Sequence, residues 1–142
     1  MSELIEAIYA GIEKNDWSGK LWPSSNGFNR ACKVPSGFAA LSLWKARFHV
    51  HIITRHPPST QVSRVSTAWR IDFQDPSFDP STITVAVNAT MKILDEFYDP
   101  HAAISAIHQQ ITDILGIPPE NDIGYHRHWE DVDIRLELEK YQ

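Results

Sequence analysis

DPHAAISAIHQQITDILG, residues 99–116, carries the most complete set of structural signals in the chain. Asp99 is placed to cap a helix, its carboxylate accepting from an orphan N–H of the first turn. Pro100 follows at the first helical position, where a missing N–H costs nothing. Ala103, Ile104, Ile107, Ile111, Ile114 and Leu115 then recur at steps of three and four, one apolar stripe on a 3.6-residue period. Gly116 supplies a left-handed stop, and Pro118 and Pro119 forbid continuation. Ser105, Gln109, Gln110 and Thr112 occupy the wettable side. A helix with one dry face needs a sheet or another helix to cover it. Each large stripe residue contributes roughly 1.5–3 kcal/mol when buried.

Upstream of this helix, residues 82–94 alternate, with Ile83, Val85, Val87, Ala89, Met91 and Ile93 on one side and Thr84, Asn88, Thr90 and Lys92 on the other. Period two predicts a strand. Residues 61–73 alternate as well, with Val65, Thr67, Trp69 and Ile71 against Arg64, Ser66, Arg70 and Asp72. So do residues 41–54, with Phe48, Val50 and Ile52 against Lys45, Arg47, His49 and His51, which predicts a half-buried strand with a wet, basic outer face. The short link through Pro57 and Pro58 makes the last two an antiparallel hairpin. Residues 3–14 read as a helix on Leu4, Ile5, Ile8 and Ile12. Residues 131–141 read as a closing strand on Val132, Ile134, Leu136 and Leu138. Residues 16–37 read as a loop, because Gly19, Pro23, Gly27, Pro35 and Gly37 interrupt any period. The expected order is α-β-β-β-α-β. It describes one α+β domain over residues 1–142, with an antiparallel or mixed four-stranded sheet packed by two helices.

Composition agrees with a folded domain: 142 residues, 42% hydrophobic and 22% charged. The formal charge of −5 argues against a non-specific nucleic-acid binder. Cys32 is the single cysteine, which excludes an intrachain disulfide and a thiolate zinc cluster. No apolar run approaches the roughly 20 residues of a membrane span, and no basic-then-apolar leader is visible. The expected location is the cytoplasm, or an assembled particle made there.

Two clusters could carry chemistry. In His49-Val50-His51 the two imidazoles fall on one side of a strand and could share a metal ion. The triplet resembles the His-hydrophobic-His motif of HUH-type single-strand nucleases, which implies a bound divalent cation and a tyrosine nucleophile, here Tyr98 or Tyr141. The competing reading places both histidines on the solvated face beside Lys45 and Arg47. His126 and His128, followed by Glu130, Asp131 and Asp133, form the second cluster, and its spacing matches no metal motif. Motifs for a nucleophilic serine or a phosphate loop are absent, so neither catalytic residues nor a cofactor are expected. Cys32, near Arg30 and Lys33, reads as incidental.

Trp17, Leu21, Trp22 and Phe28 are large apolar residues in a segment read as loop. That pattern suits a partner-binding surface, where aromatic residues are favoured. The order of elements is similar to that of phage tail-terminator and tail-completion proteins. The stretches that carry the likeness are SELIEAIYAGIEK, MKILDEFYDPHAAISAIHQQITDIL and VDIRLELEKY. The resemblance implies a ring-forming, non-enzymatic protein that binds other chains, its own copies included. A metal-dependent nuclease using His49 and His51, and a small inhibitor or immunity-type protein, are the alternatives.

Overall fold

In the computed structural model the described residues are 18–21, 28–44, 46–55, 62–72 and 74–129. They fold as α+β. Five strands come first: β1 (Ser18–Leu21), β2 (Phe28–Val34), β3 (Gly37–Trp44), β4 (Arg47–Arg55) and β5 (Val62–Arg70). Two helices follow, α1 (Pro80–Glu96) and α2 (Pro100–Leu115), and then β6 (Gly124–Trp129). The strands form one antiparallel sheet in the order β1-β2-β3-β4-β5-β6, so each pairs with its neighbour in sequence until β6 returns beside β5. The predicted pairing of residues 41–54 with 61–73 is present as the β4–β5 ladder.

α2 is the helix that the sequence describes. The Asp99 carboxylate accepts from the Ala102 N–H at 2.8 Å, and Gly116 ends the helix at φ 69°. Ala103, Ile104, Ile107 and Ile111 are fully buried. They meet the sheet face formed by Leu41 and Leu43 of β3, Phe48, Val50 and Ile52 of β4, and Val65 and Trp69 of β5. Trp69 stacks on Phe48 with ring centroids 5.8 Å apart. A polar seam sets how α2 lies on β5. The Trp69 indole N–H donates to Thr112 Oγ1 at 3.0 Å, and Thr67 Oγ1 lies 2.8 Å from His108 Nδ1. Such bonds specify one seating of a helix that an apolar stripe alone would allow to slide.

The strand expected at residues 82–94 is instead the body of α1. Its buried positions are Ile83, Ala86, Val87, Thr90, Met91, Ile93 and Leu94, which follow a helical period. Val85, expected inside, is 53% exposed, and Thr90, expected outside, is fully buried. Thr90 is tolerated there because its hydroxyl donates back to the Ala86 carbonyl at 2.8 Å. The β-branched residues alternate by coincidence, and packing against α2 outweighs their modest strand preference. Asp79 and Pro80 repeat the cap-and-proline signature of Asp99 and Pro100, with the Asp79 carboxylate accepting from the Ser81 N–H at 3.0 Å. The segment leading into the Asp99-capped helix, read as a strand for the tail-protein resemblance, is therefore a helix–helix corner.

Two further expectations are corrected. The loop assigned to residues 16–37 contains β1, β2 and the tight turn at Pro35 and Ser36 that begins β3. Leu21 and Phe28 are strand residues and pair with each other. The single strand expected over residues 41–54 is two, β3 and β4, which reverse between Trp44 and Arg47 with Ala46 at φ 62°. No glycine or proline marks that reversal; the Ala46 carbonyl is held by the Ile71 N–H at 2.7 Å. The helix expected over residues 3–14 and the strand expected over residues 131–141 lie outside the described residues.

Gly37 is required at the other reversal. Its φ is 145°, and a Cβ there would stand 2.5 Å from the Ile53 carbonyl oxygen on β4. That oxygen is backbone and cannot swing away. Gly37→Ala should cost more than about 1 kcal/mol in urea unfolding. A variant with the parent's midpoint would show that β3 can shift on β4.

Candidate functional site

β4 is buried on both sides. Its even-numbered residues Phe48, Val50 and Ile52 face the helices, and His49, His51 and Ile53 face away from them. The register sets His51 between Ala40 and Ser66, and His49 between Ser42 and Ala68. This second face is dry at its centre: Ala40 is 1% exposed and His51 3%. The wet, basic face expected for the two histidines is thus corrected. Their rings do share one side, as the spacing requires, with centroids 5.1 Å apart.

Burial is the main reason that both imidazoles resist protonation. His49 is pushed from its ordinary 6.5 down to about 4, first by desolvation, then by Arg47 and Arg64, with Glu120 opposing weakly. His51 is held well below its ordinary value by desolvation, then by His49 and Arg64. Both are neutral at pH 7.

The link from α2 to β6 completes the site. The Glu120 N–H donates to the Ala68 carbonyl at 2.8 Å, which fixes the link to β5. The Glu120 carboxylate accepts from Arg47 Nε at 2.6 Å and lies 3.7 Å from Arg70 Nη2. This anchoring brings Asn121 and Asp122 over the second face, and a groove of about 290 Å³ opens between link and sheet. Arg47, His49, Arg64 and Ser66 line it from the strands, Asn121 and Asp122 from the link. The groove offers guanidinium, hydroxyl and amide donors around a neutral imidazole.

The other predicted residues are placed as follows. Leu21 and Phe28 flank the β1–β2 connection, and the register carries their row through Leu43 and Phe48 to Trp69. Trp17, Trp22 and Tyr141 lie outside the described residues. β6 carries the backbone of His126 and His128, and His126 is set opposite Arg64. Because β5 lies between β4 and β6, the two histidine pairs are on strands that do not adjoin. Among the described residues no group of three or more His, Cys, Asp or Glu is placed to hold a metal ion. Tyr98 is 81% exposed at the corner of α1 and α2, in the helix layer and not on the histidine face. Cys32 is half-buried against the core.

Sequence reading missed Arg64, Ser66, Asn121 and Asp122. Arg64 and Ser66 could have been found from alternation, which puts them opposite Val65 and Thr67 and so on the side of His49. Asn121 and Asp122 had no local signal, because only the anchoring of Glu120 brings the link to the strands. Comparison with known proteins returns no matching protein family, no similar curated protein and no similar solved structure.

Proposed function

We propose that the chain is a non-enzymatic assembly or interaction protein that works by joining other protein chains, its own copies included. The observation that carries this reading is the open sheet. Among the described residues β1 and β6 each have a single strand neighbour, and an end strand is a template to which another chain can add. Leu21 and Phe28 bound the connection of the β1–β2 hairpin at one end of that sheet. In the sequence Trp22 follows Leu21 directly and Trp17 precedes Ser18, so both are neighbours of this hairpin along the chain. Edge-to-edge addition of copies into a ring, as the sequence resemblance to tail-terminator proteins implies, is the specific form of the proposal, although the α1–α2 corner departs from the element order expected for them. Assembly would then take place in the cytoplasm or in a virion. Among the described residues no helix is long and apolar enough to cross a membrane.

Light scattering tests this directly: the expected result is a closed oligomer with a fixed copy number. Trp22→Ala should keep the melting temperature of the monomer and lose association, since large apolar anchors dominate interfaces. A large loss of monomer stability with association unchanged would assign Trp22 to the core instead. A mass that stays monomeric at every concentration overturns self-assembly and favours an inhibitor that masks a different protein.

The paired imidazoles of His49 and His51 favour a second reading, a metal-dependent phosphodiesterase. Neutral rings 5.1 Å apart on one face are the form in which histidine ligates a metal. Zinc or manganese bound at one ion per chain and lost in His49→Gln would promote it over assembly. The arginines Arg47 and Arg64 at the same groove oppose a cation.

A further inference from the structure

The groove between the second face of the sheet and the α2–β6 link is a built recess that the assembly reading does not use, and its arginines disfavour the metal reading that shares His49 with it. We propose that it binds a small oxyanion, a phosphate or carboxylate group, held between Arg47 and Arg64 with Ser66 and Asn121 as neutral donors. This reading stands apart from the assembly proposal and does not depend on it.

The first support is chemical. Among the described residues the walls carry two guanidiniums, Arg47 and Arg64, and one carboxylate, Asp122, which is exposed on the rim. Guanidinium groups pair with planar and tetrahedral oxyanions through parallel N–H bonds. Glu120 does not itself line the recess, but its carboxylate accepts from Arg47 Nε at 2.6 Å and offsets part of that arginine's charge, which leaves Arg64 as the main cation of the pair. The second support is the size: about 290 Å³ has room for a phosphate or carboxylate group together with the small molecule that carries it. The third is the local field. At His49, behind burial as the main cause, Arg47 and Arg64 each disfavour protonation more than Glu120 favours it, so both guanidiniums act on the imidazole that lines the groove. That field raises the affinity for an anion and lowers it for a cation.

His49 then serves as a neutral partner. A neutral imidazole has one N–H donor and one acceptor nitrogen, so it can donate to an anion without itself adding charge. Ser66 is buried at 9% exposure on the floor, while Asn121 on the link is exposed. This difference makes Asn121 the safer position to test.

The experiment is a titration of the full chain with inorganic phosphate at pH 7 and constant ionic strength, followed by amide NMR, with acetate in a second series and chloride as control. The expected result is saturation at one ion per chain, with shifts centred on Ser66, Ala68, Asn121 and Gly124. Saturation by phosphate alone identifies a phosphoryl ligand and by acetate alone a carboxylate ligand; either upholds the site. Asn121→Asp places a second carboxylate on the exposed rim and should weaken binding roughly tenfold or more without lowering the melting temperature. Arg64→Gln should abolish saturation. Shifts that chloride reproduces, or saturable binding that Asn121→Asp leaves unchanged, would overturn the proposal.

Discussion

Ile107→Asp should leave no cooperatively folded protein. Ile107 is fully buried on α2, with Ala103, Ile104 and Ile111 beside it and the sheet beneath. Removing the isoleucine side chain alone costs about 2–5 kcal/mol through lost burial and a residual cavity. Aspartate adds a second cost, because its carboxylate either stays charged without water or takes up a proton to enter the core. Together these approach the whole stability of an ordinary domain, about 5–15 kcal/mol. Circular dichroism during urea unfolding is the check, with Ile107→Val as the control that should lose about 1 kcal/mol. A soluble Ile107→Asp protein with a sharp transition would show that the stripe is not core.

Stability should fall steeply between pH 6.5 and pH 4, with His49 and His51 as the cause. Above 6.5 both imidazoles are neutral in the folded and the unfolded chain, so they add no pH dependence. As the pH drops below 6.5 the unfolded chain takes up protons that the folded chain refuses. His49 refuses them until about pH 4, and His51 lower still. Each refused proton costs about 1.4 kcal/mol per pH unit, so His49 alone removes about 3 kcal/mol across that window. Asp75 and Asp79 do not confuse the reading. Their carboxylates are held below the ordinary 3.8 by bonds from Ser77 and from Ser81. Their contribution is present above that value and is lost only below it. Urea midpoints measured from pH 7 to pH 4.5 should decline progressively, and His49→Gln should flatten the slope by about half. A flat profile for the parent would mean that the two rings are solvated and that the second face is wet.

α2 was legible because its evidence is local: a cap, a proline, a stripe and a glycine, all within eighteen consecutive residues. The strand residues of β4 and β5 were legible for a similar reason, since period-two alternation survives wherever one side is drier than the other. Alternation points to a strand where α1 forms, although Asp79 and Pro80 carry the same signature as Asp99 and Pro100. Ile83, Val85, Val87, Ala89, Met91 and Ile93 fit a strand by count, yet Ala86, Thr90 and Leu94 complete the stripe that α2 actually covers. Where two periods compete over one segment, only the neighbour that packs against it decides.

The amino-acid order alone determined the α+β class, the cap and stop of α2, and the pairing of the two central alternating segments. It also determined that His49 and His51 share a side, because two residues one apart on a strand must. Tertiary structure decided everything that depends on a partner distant in the chain. The hairpin turn at Ala46 needs the Ile71 N–H. The burial of His51 depends on a second sheet face that alternation reads as wet, since a polar residue looks the same in sequence whether or not water reaches it. The groove needs Glu120 to bind β5 and two arginines before Asn121 and Asp122 can face Arg64. Contacts between residues tens of positions apart leave no periodic trace in a sequence, and those contacts build the site.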